Sequence, residues 1–120
     1  MTAPNMINTA TVTGKSTYFN LQATSSNVVV NATNSSTLVK INHLMLANYN
    51  TATVTSTVVV YRASNTTGYN LITNISVPSG TTVVILGKDT PVYMEEGDQL
   101  MGYASTGNSI CAVTSYEIIS

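Results

Sequence analysis

An all-β fold, a two-sheet antiparallel β-sandwich of jelly-roll or Greek-key type, is what this sequence predicts. Three observations point to it. β-branched runs recur along the chain, with Asn, Ser, Gly and Pro clusters dividing them at intervals near the eight to twelve residues expected of a sandwich. Within the runs, apolar and polar residues alternate with period two. No segment sustains the 3.6-residue period of an amphipathic helix. An immunoglobulin-like sandwich is the nearest competitor; it would ordinarily carry a Trp and a Cys pair, and the chain has no Trp and one Cys.

Taken in order, residues 1–8 contain Pro4 and two Asn without periodicity and read as a flexible N-terminal arm; residues 9–120 form a single domain. Ala10 to Thr13 and Tyr18 to Ala23 read as strands either side of a turn at Gly14-Lys15-Ser16. Val28 to Ala32 follows, then the polar loop Thr33 to Ser36. Leu38 to Asn48 is a long strand whose pattern changes midway: Val39, Ile41, His43, Met45 and Ala47 share one face, and Lys40, Asn42, Leu44 and Leu46 the other. Either a bulge shifts the register, or the strand passes into a region covered by a neighbouring subunit. The second alternative makes Leu44 and Leu46 interface candidates.

Ala52 to Arg62 and Tyr69 to Val77 alternate around the loop Ser64 to Gly68 and predict a hairpin. Val77 to Leu100 reads as two short strands between turns at Pro78-Ser79-Gly80 and Glu95-Glu96-Gly97-Asp98, with Pro78 in the second turn position. Gln99 to Ser105 and Ser109 to Ile119 complete the set, so the C-terminus is expected to lie in a sheet.

Composition narrows the function. Charged residues make up 8% of the chain, against roughly 25% in an ordinary soluble domain. Thr, Ser and Asn exceed a third of it. Such a surface forms hydrogen bonds but offers little electrostatic repulsion between copies, which favours assembly. The net charge is -1 and the four basic residues, Lys15, Lys40, Arg62 and Lys88, are scattered, so nucleic-acid binding is not expected. Apolar runs are strand-sized, no membrane span is expected, and no secretory signal is visible at the N-terminus.

Chemistry has few places to reside. Cys111 is alone and reads as a small filler of an alternating strand; as a nucleophile it would need a partner base, and the sequence around the only His, His43, offers no such arrangement. Four of the five acidic residues, Asp89, Glu95, Glu96 and Asp98, gather in one segment. They read as a turn in which Gly97 takes a positive φ, Asp98 accepts backbone N–H groups and the glutamates are solvated. A weak calcium site or a catalytic carboxylate pair are the alternatives. The strand tyrosines read as packing residues, and Tyr49 alone lies in an evident loop, available to a sugar or a partner. No cofactor motif is present.

The order VKINHLMLANYN, a run ending VVVYR, then GYNLITNISVPSGTTVVILGKDTPVYMEEGDQL and the closing ICAVTSYEIIS resembles a family of small virion structural proteins of tailed bacteriophages, particularly marine phages and cyanophages. The resemblance runs from Leu38 to the C-terminus. It implies a non-enzymatic virion component assembled in the host cytoplasm. A capsid decoration (cement) protein is one form; a tail, neck, baseplate or fibre module, with receptor or carbohydrate binding, is the other. In the first form the partners are further copies in a homotrimer and the major capsid protein. Met1, Pro4 and Met6 of the arm join Leu44, Leu46 and Tyr49 as interface candidates.

Overall fold

A computed structural model describes residues 11–87 and 89–120. The predicted arm, with Met1, Pro4 and Met6, lies outside the described residues. Nine strands follow in chain order: β1 (Val12–Asn20), β2 (Ser26–Val30), β3 (Leu38–Asn48), β4 (Val54–Arg62), β5 (Thr67–Val77), β6 (Thr82–Leu86), β7 (Val92–Met94), β8 (Gln99–Ala104) and β9 (Ile110–Ile119). One short 3-10 turn, Ala63–Asn65, joins β4 to β5.

The pairing is nested. β1 lies antiparallel to β9, β2 to β8, β3 to both β6 and β7, and β4 to β5. Further pairing of β3 with β9 and of β4 with β8 joins these into two sheets, ordered β1-β9-β3-β6 (with β7 also on β3) and β2-β8-β4-β5. A long antiparallel hairpin rolled on itself gives this order, which is a jelly roll. The predicted architecture is therefore observed.

Three local expectations change. The turn at Gly14-Lys15-Ser16 is absent: all nine residues of β1 pair without interruption, from Val12 opposite Ile119 to Asn20 opposite Cys111. A continuous ladder outweighs the local turn propensity of Gly and Ser. At the predicted turn Pro78-Ser79-Gly80, Thr81 N–H donates to the Pro78 carbonyl, so Pro78 occupies the first turn position, not the second, and Gly80 (φ 70°) the third.

The third change concerns β3. Ile41 lies opposite Tyr116 and His43 opposite Ser115, leaving Asn42 as an extra residue. This bulge reverses the alternation. Val39 and Ile41 point inward before it, Leu44, Leu46 and Asn48 after it. Leu44 and Leu46 are 1% and 0% exposed and belong to the core. They cannot meet a neighbouring subunit, so of the two explanations for the mixed pattern the bulge is correct.

Both inner faces feed one core, which includes Leu21, Ile41, Leu44, Leu46, Val54, Val77, Met94, Leu100 and Ile110. Full burial of each such side chain contributes about 2 kcal/mol. Two buried asparagines fasten the loops at the ends. Asn48 Nδ2–H donates to the Ala52 and Val77 carbonyls while its Oδ1 accepts the Asn50 N–H. Asn31 Nδ2–H donates to the Thr37 and Met94 carbonyls while its Oδ1 accepts the Ser35 and Thr37 hydroxyls. With both N–H protons donated and the oxygen accepting in each, these amides hold non-regular backbone that would otherwise cost desolvation energy.

Candidate functional site

The acidic segment was the strongest chemical candidate in the sequence, and its geometry is that of a fastening. Gly97 takes φ 87°, and the Asp98 N–H donates to the Glu95 carbonyl to close the turn. Asp98 is fully buried; its Oδ1 accepts the Ala63 N–H at 3.0 Å and its Oδ2 the Glu95 N–H at 2.9 Å. Arg62 approaches the same carboxylate through Nε at 3.4 Å and Glu95 through Nη1 at 3.5 Å. The carboxylate thus ties the end of β4 to the turn before β8 with charge-assisted bonds.

Glu96 departs from expectation. It is 8% exposed and not solvated, because it accepts the Ser36 N–H at 2.8 Å and so secures the loop between β2 and β3. Asp89 is exposed on a separate turn and does not join the other three. Among the described residues no group of three His, Cys, Asp or Glu is placed to hold a metal ion. The calcium candidates therefore divide into a lock and an outlying residue. A carboxylate already engaged by two N–H groups and a guanidinium presents little to a cation.

Cys111 and His43 also stay apart. Cys111 is half-buried opposite Ala47, while His43 lies opposite Ser115. Four residues of strand separate the two rows, roughly 13 Å, which is too far for a nucleophile and its base.

The surface best arranged to do something is the outer face of the sheet β1-β9-β3-β6. In β9, Ile110, Ala112 and Thr114 are buried, so Cys111, Val113, Ser115 and Glu117 face outward. Register then fixes what stands beside them. Tyr18, Val113, Met45 and Val84 form one row across four strands. Asn20, Cys111, Ala47 and Thr82 form the row above it. Tyr18 is 72% exposed and Val84 58%. This half of the face is apolar and carries no charge.

The other half is polar. Ser16, Ser115 and His43 share a row, and Gly14, Glu117, Lys40 and Tyr93 the next. The bulge residue Asn42 donates from Nδ2 to Glu117 Oε1 at 3.0 Å, and the Lys40 ammonium lies 6.0 Å from the Tyr93 ring centroid. Together Lys40, Asn42, His43 and Glu117 line an open groove of about 510 Å³. A second depression of about 410 Å³, sharing Asn42 and Glu117, extends it towards Gly14, Lys15 and Ser16.

Of the remaining interface candidates, Tyr49 is 55% exposed in the loop after β3, as expected, while its N–H donates to the Ser109 carbonyl. Sequence reasoning missed Tyr18, Tyr93, Met45 and Val84. The sequence pattern makes Tyr18 a packing residue of a strand that begins after a turn; with β1 unbroken, its parity matches Gly14 and Ser16 and it faces out. Tyr116 does behave as a packing aromatic, lying against the core with its hydroxyl 3.1 Å from Thr17 Oγ1.

No protein-family model and no curated protein matches the chain. Solved structures do. A subunit of the disulfide-linked pili of Bacillus endospore appendages is 12% identical with a TM-score of 0.54, the match covering 99% of this chain and 95% of that one. A chain of the T13 IBDV viral particle is 8% identical with a TM-score of 0.51; the match covers 90% of this chain but 31% of that one, which is thus about three times longer. A pentameric capsid protein from metagenomic phage sequences is more remote, at 13% identity and a TM-score of 0.39, and carries no weight. At these identities the likeness is one of fold.

Proposed function

We propose that the chain is a structural protein of a virus particle, a decoration protein that self-associates as a trimer and binds across neighbouring capsid subunits. Its mechanism is binding alone: surface buried across a subunit boundary raises the free energy needed to part the subunits. The observation that carries this reading is the apolar row Tyr18-Val113-Met45-Val84, set on the half of the outer face that carries no charge. Contiguous exposed apolar surface on a small domain marks a protein contact. The resemblance to phage virion proteins supplies the setting, and the shared fold with a chain of the IBDV particle is in keeping with it.

The test is occupancy on purified particles by quantitative mass spectrometry. Val84→Asp is expected to remove the protein from particles while its far-UV spectrum and melting temperature stay near wild type, since Val84 is exposed. Deletion of residues 1–8 is expected to weaken attachment. Full occupancy of the Val84→Asp variant would end this proposal.

A second reading rests on a different observation, the groove of Lys40, Asn42, His43 and Glu117 beside Tyr93. Polar groups converging beside an exposed aromatic suit a saccharide, as in a receptor-binding tail, baseplate or fibre module. A screen against host surface glycans, with Tyr49→Ala and Lys40→Ala compared, decides it. A few copies per virion and glycan binding lost with Lys40 would favour this reading; hundreds of copies and no glycan bound would remove it.

A further inference from the structure

The two sheets have four edges, and they are not alike. β2 is five residues long with a register shift between Asn27 and Val29. β5 bears shifts opposite Ser56 to Val59. The edge beside β3 is divided between β6, of five residues, and β7, of three. Each is short, bent or interrupted, the usual means of keeping an edge from pairing with another chain. β1 is different: nine residues in unbroken register, without Pro, and carrying one charge, Lys15.

Which groups of β1 are free follows from its ladder. Thr11 and Ser120 exchange both N–H···O bonds, and Leu21 N–H donates to the Ile110 carbonyl. In an antiparallel pair such positions alternate, so the odd-numbered residues of β1 bond to β9. Val12, Gly14, Ser16, Tyr18 and Asn20 therefore turn their N–H and C=O groups to the side away from β9, where no described residue pairs with them.

We infer that β1 is a self-pairing edge, joining antiparallel to β1 of a second copy across a two-fold axis at Ser16. In that register Ser16 pairs with its own counterpart, Gly14 with Tyr18, and Val12 with Asn20. Every free group of the edge then falls in a hydrogen-bonded pair, and the whole strand overlaps. Two further features fit. A Cβ built at Gly14 has nothing within 4 Å, so the site is open, and the Tyr18 ring of the other copy lies across it, covering the glycine as aromatics do in paired strands. Lys15 meets Thr17 and not another lysine, so the one charge on the edge does not oppose pairing. Among the described residues no other edge offers an unbroken partner of this length.

This deepens the assembly proposed above, and the two fail separately. Being two-fold, the β1 joint links one trimer to the next and does not form the trimer. The experiment is sedimentation velocity on the full chain over a wide concentration range. Wild type is expected to show a two-fold association. Ser16→Pro removes an open-side N–H without touching the β9 ladder, and Ser16→Lys sets two like charges in contact; each is expected to raise the dissociation constant of the joint by about tenfold. Mixing Ser16→Lys with Ser16→Glu is expected to restore it as a heterodimer, an outcome that a misfolded variant does not give. The inference is overturned if wild type shows no two-fold association, if both single variants associate like wild type, or if Val84→Asp abolishes the association and Ser16→Lys does not. Loss of particle occupancy with the β1 joint intact would bear on the function instead.

Discussion

At the scale of single residues, the polar contribution to stability is concentrated in a few buried, satisfied groups and not in the many exposed Thr and Ser. Asp98 is the clearest. Its two carboxylate oxygens accept N–H groups from Ala63 and Glu95, thirty-five and three residues away, and Arg62 adds a partly exposed ion pair. Asp98→Ala leaves both N–H groups without an acceptor in the interior and Arg62 without its closer partner. The expected loss is about 3 kcal/mol in chemical denaturation, with most of it from the orphaned donors, since a surface pair contributes little. Gly97 sits beside it for two reasons, a positive φ and a Cβ position 2.8 Å from the Ala63 Cβ. The acids are thus read correctly from sequence as a turn, and incorrectly as a rim open to solvent.

At the scale of elements, the deciding feature is the extra residue in β3. Asn42 contributes one half-exposed hydrogen bond to Glu117, so Asn42→Ala is expected to cost about 1 kcal/mol. Deleting Asn42 is a different matter. It turns His43 to Asn48 over, bringing Leu44 and Leu46 outside and His43 inside, and a core missing two leucines cannot offset the chain entropy of folding. The deletion variant is expected to lack the dispersed amide spectrum of the folded protein, while Asn42→Ala keeps it. The bulge also turns His43 outward to the groove that Lys40 lines, so one backbone insertion sets both the core and the polar face.

At the scale of the whole molecule, nesting makes the chain interdependent. β9 lies between β1 and β3, so residues 116–119 pair on one side with Val12 to Lys15 and on the other with Leu38 to Ile41. Removing residues 116–120 is expected to abolish cooperative thermal unfolding of the entire domain, not to fray one end. Circular dichroism melting measures this. Because the first strand pairs with the last, folding must close long loops before those contacts form, and refolding is expected on the millisecond to second scale typical of such topologies. The same nesting leaves β1 as an edge among the described residues.

The sequence by itself determined the all-β class, the strand runs from β2 onward and the turns at Gly80 and Gly97, because alternation and turn chemistry are local and written in neighbouring residues. It also limited the surface to a nearly uncharged one. Tertiary structure alone decided whether Gly14-Lys15-Ser16 turns, since β9, on the order of a hundred residues away, supplies the ladder that keeps it straight. It decided which way Leu44 and Leu46 face, for a bulge exists only relative to a partner strand. The row of Tyr18, Val113, Met45 and Val84 is likewise assembled from four distant segments, and no local period can announce which residues a register will set side by side.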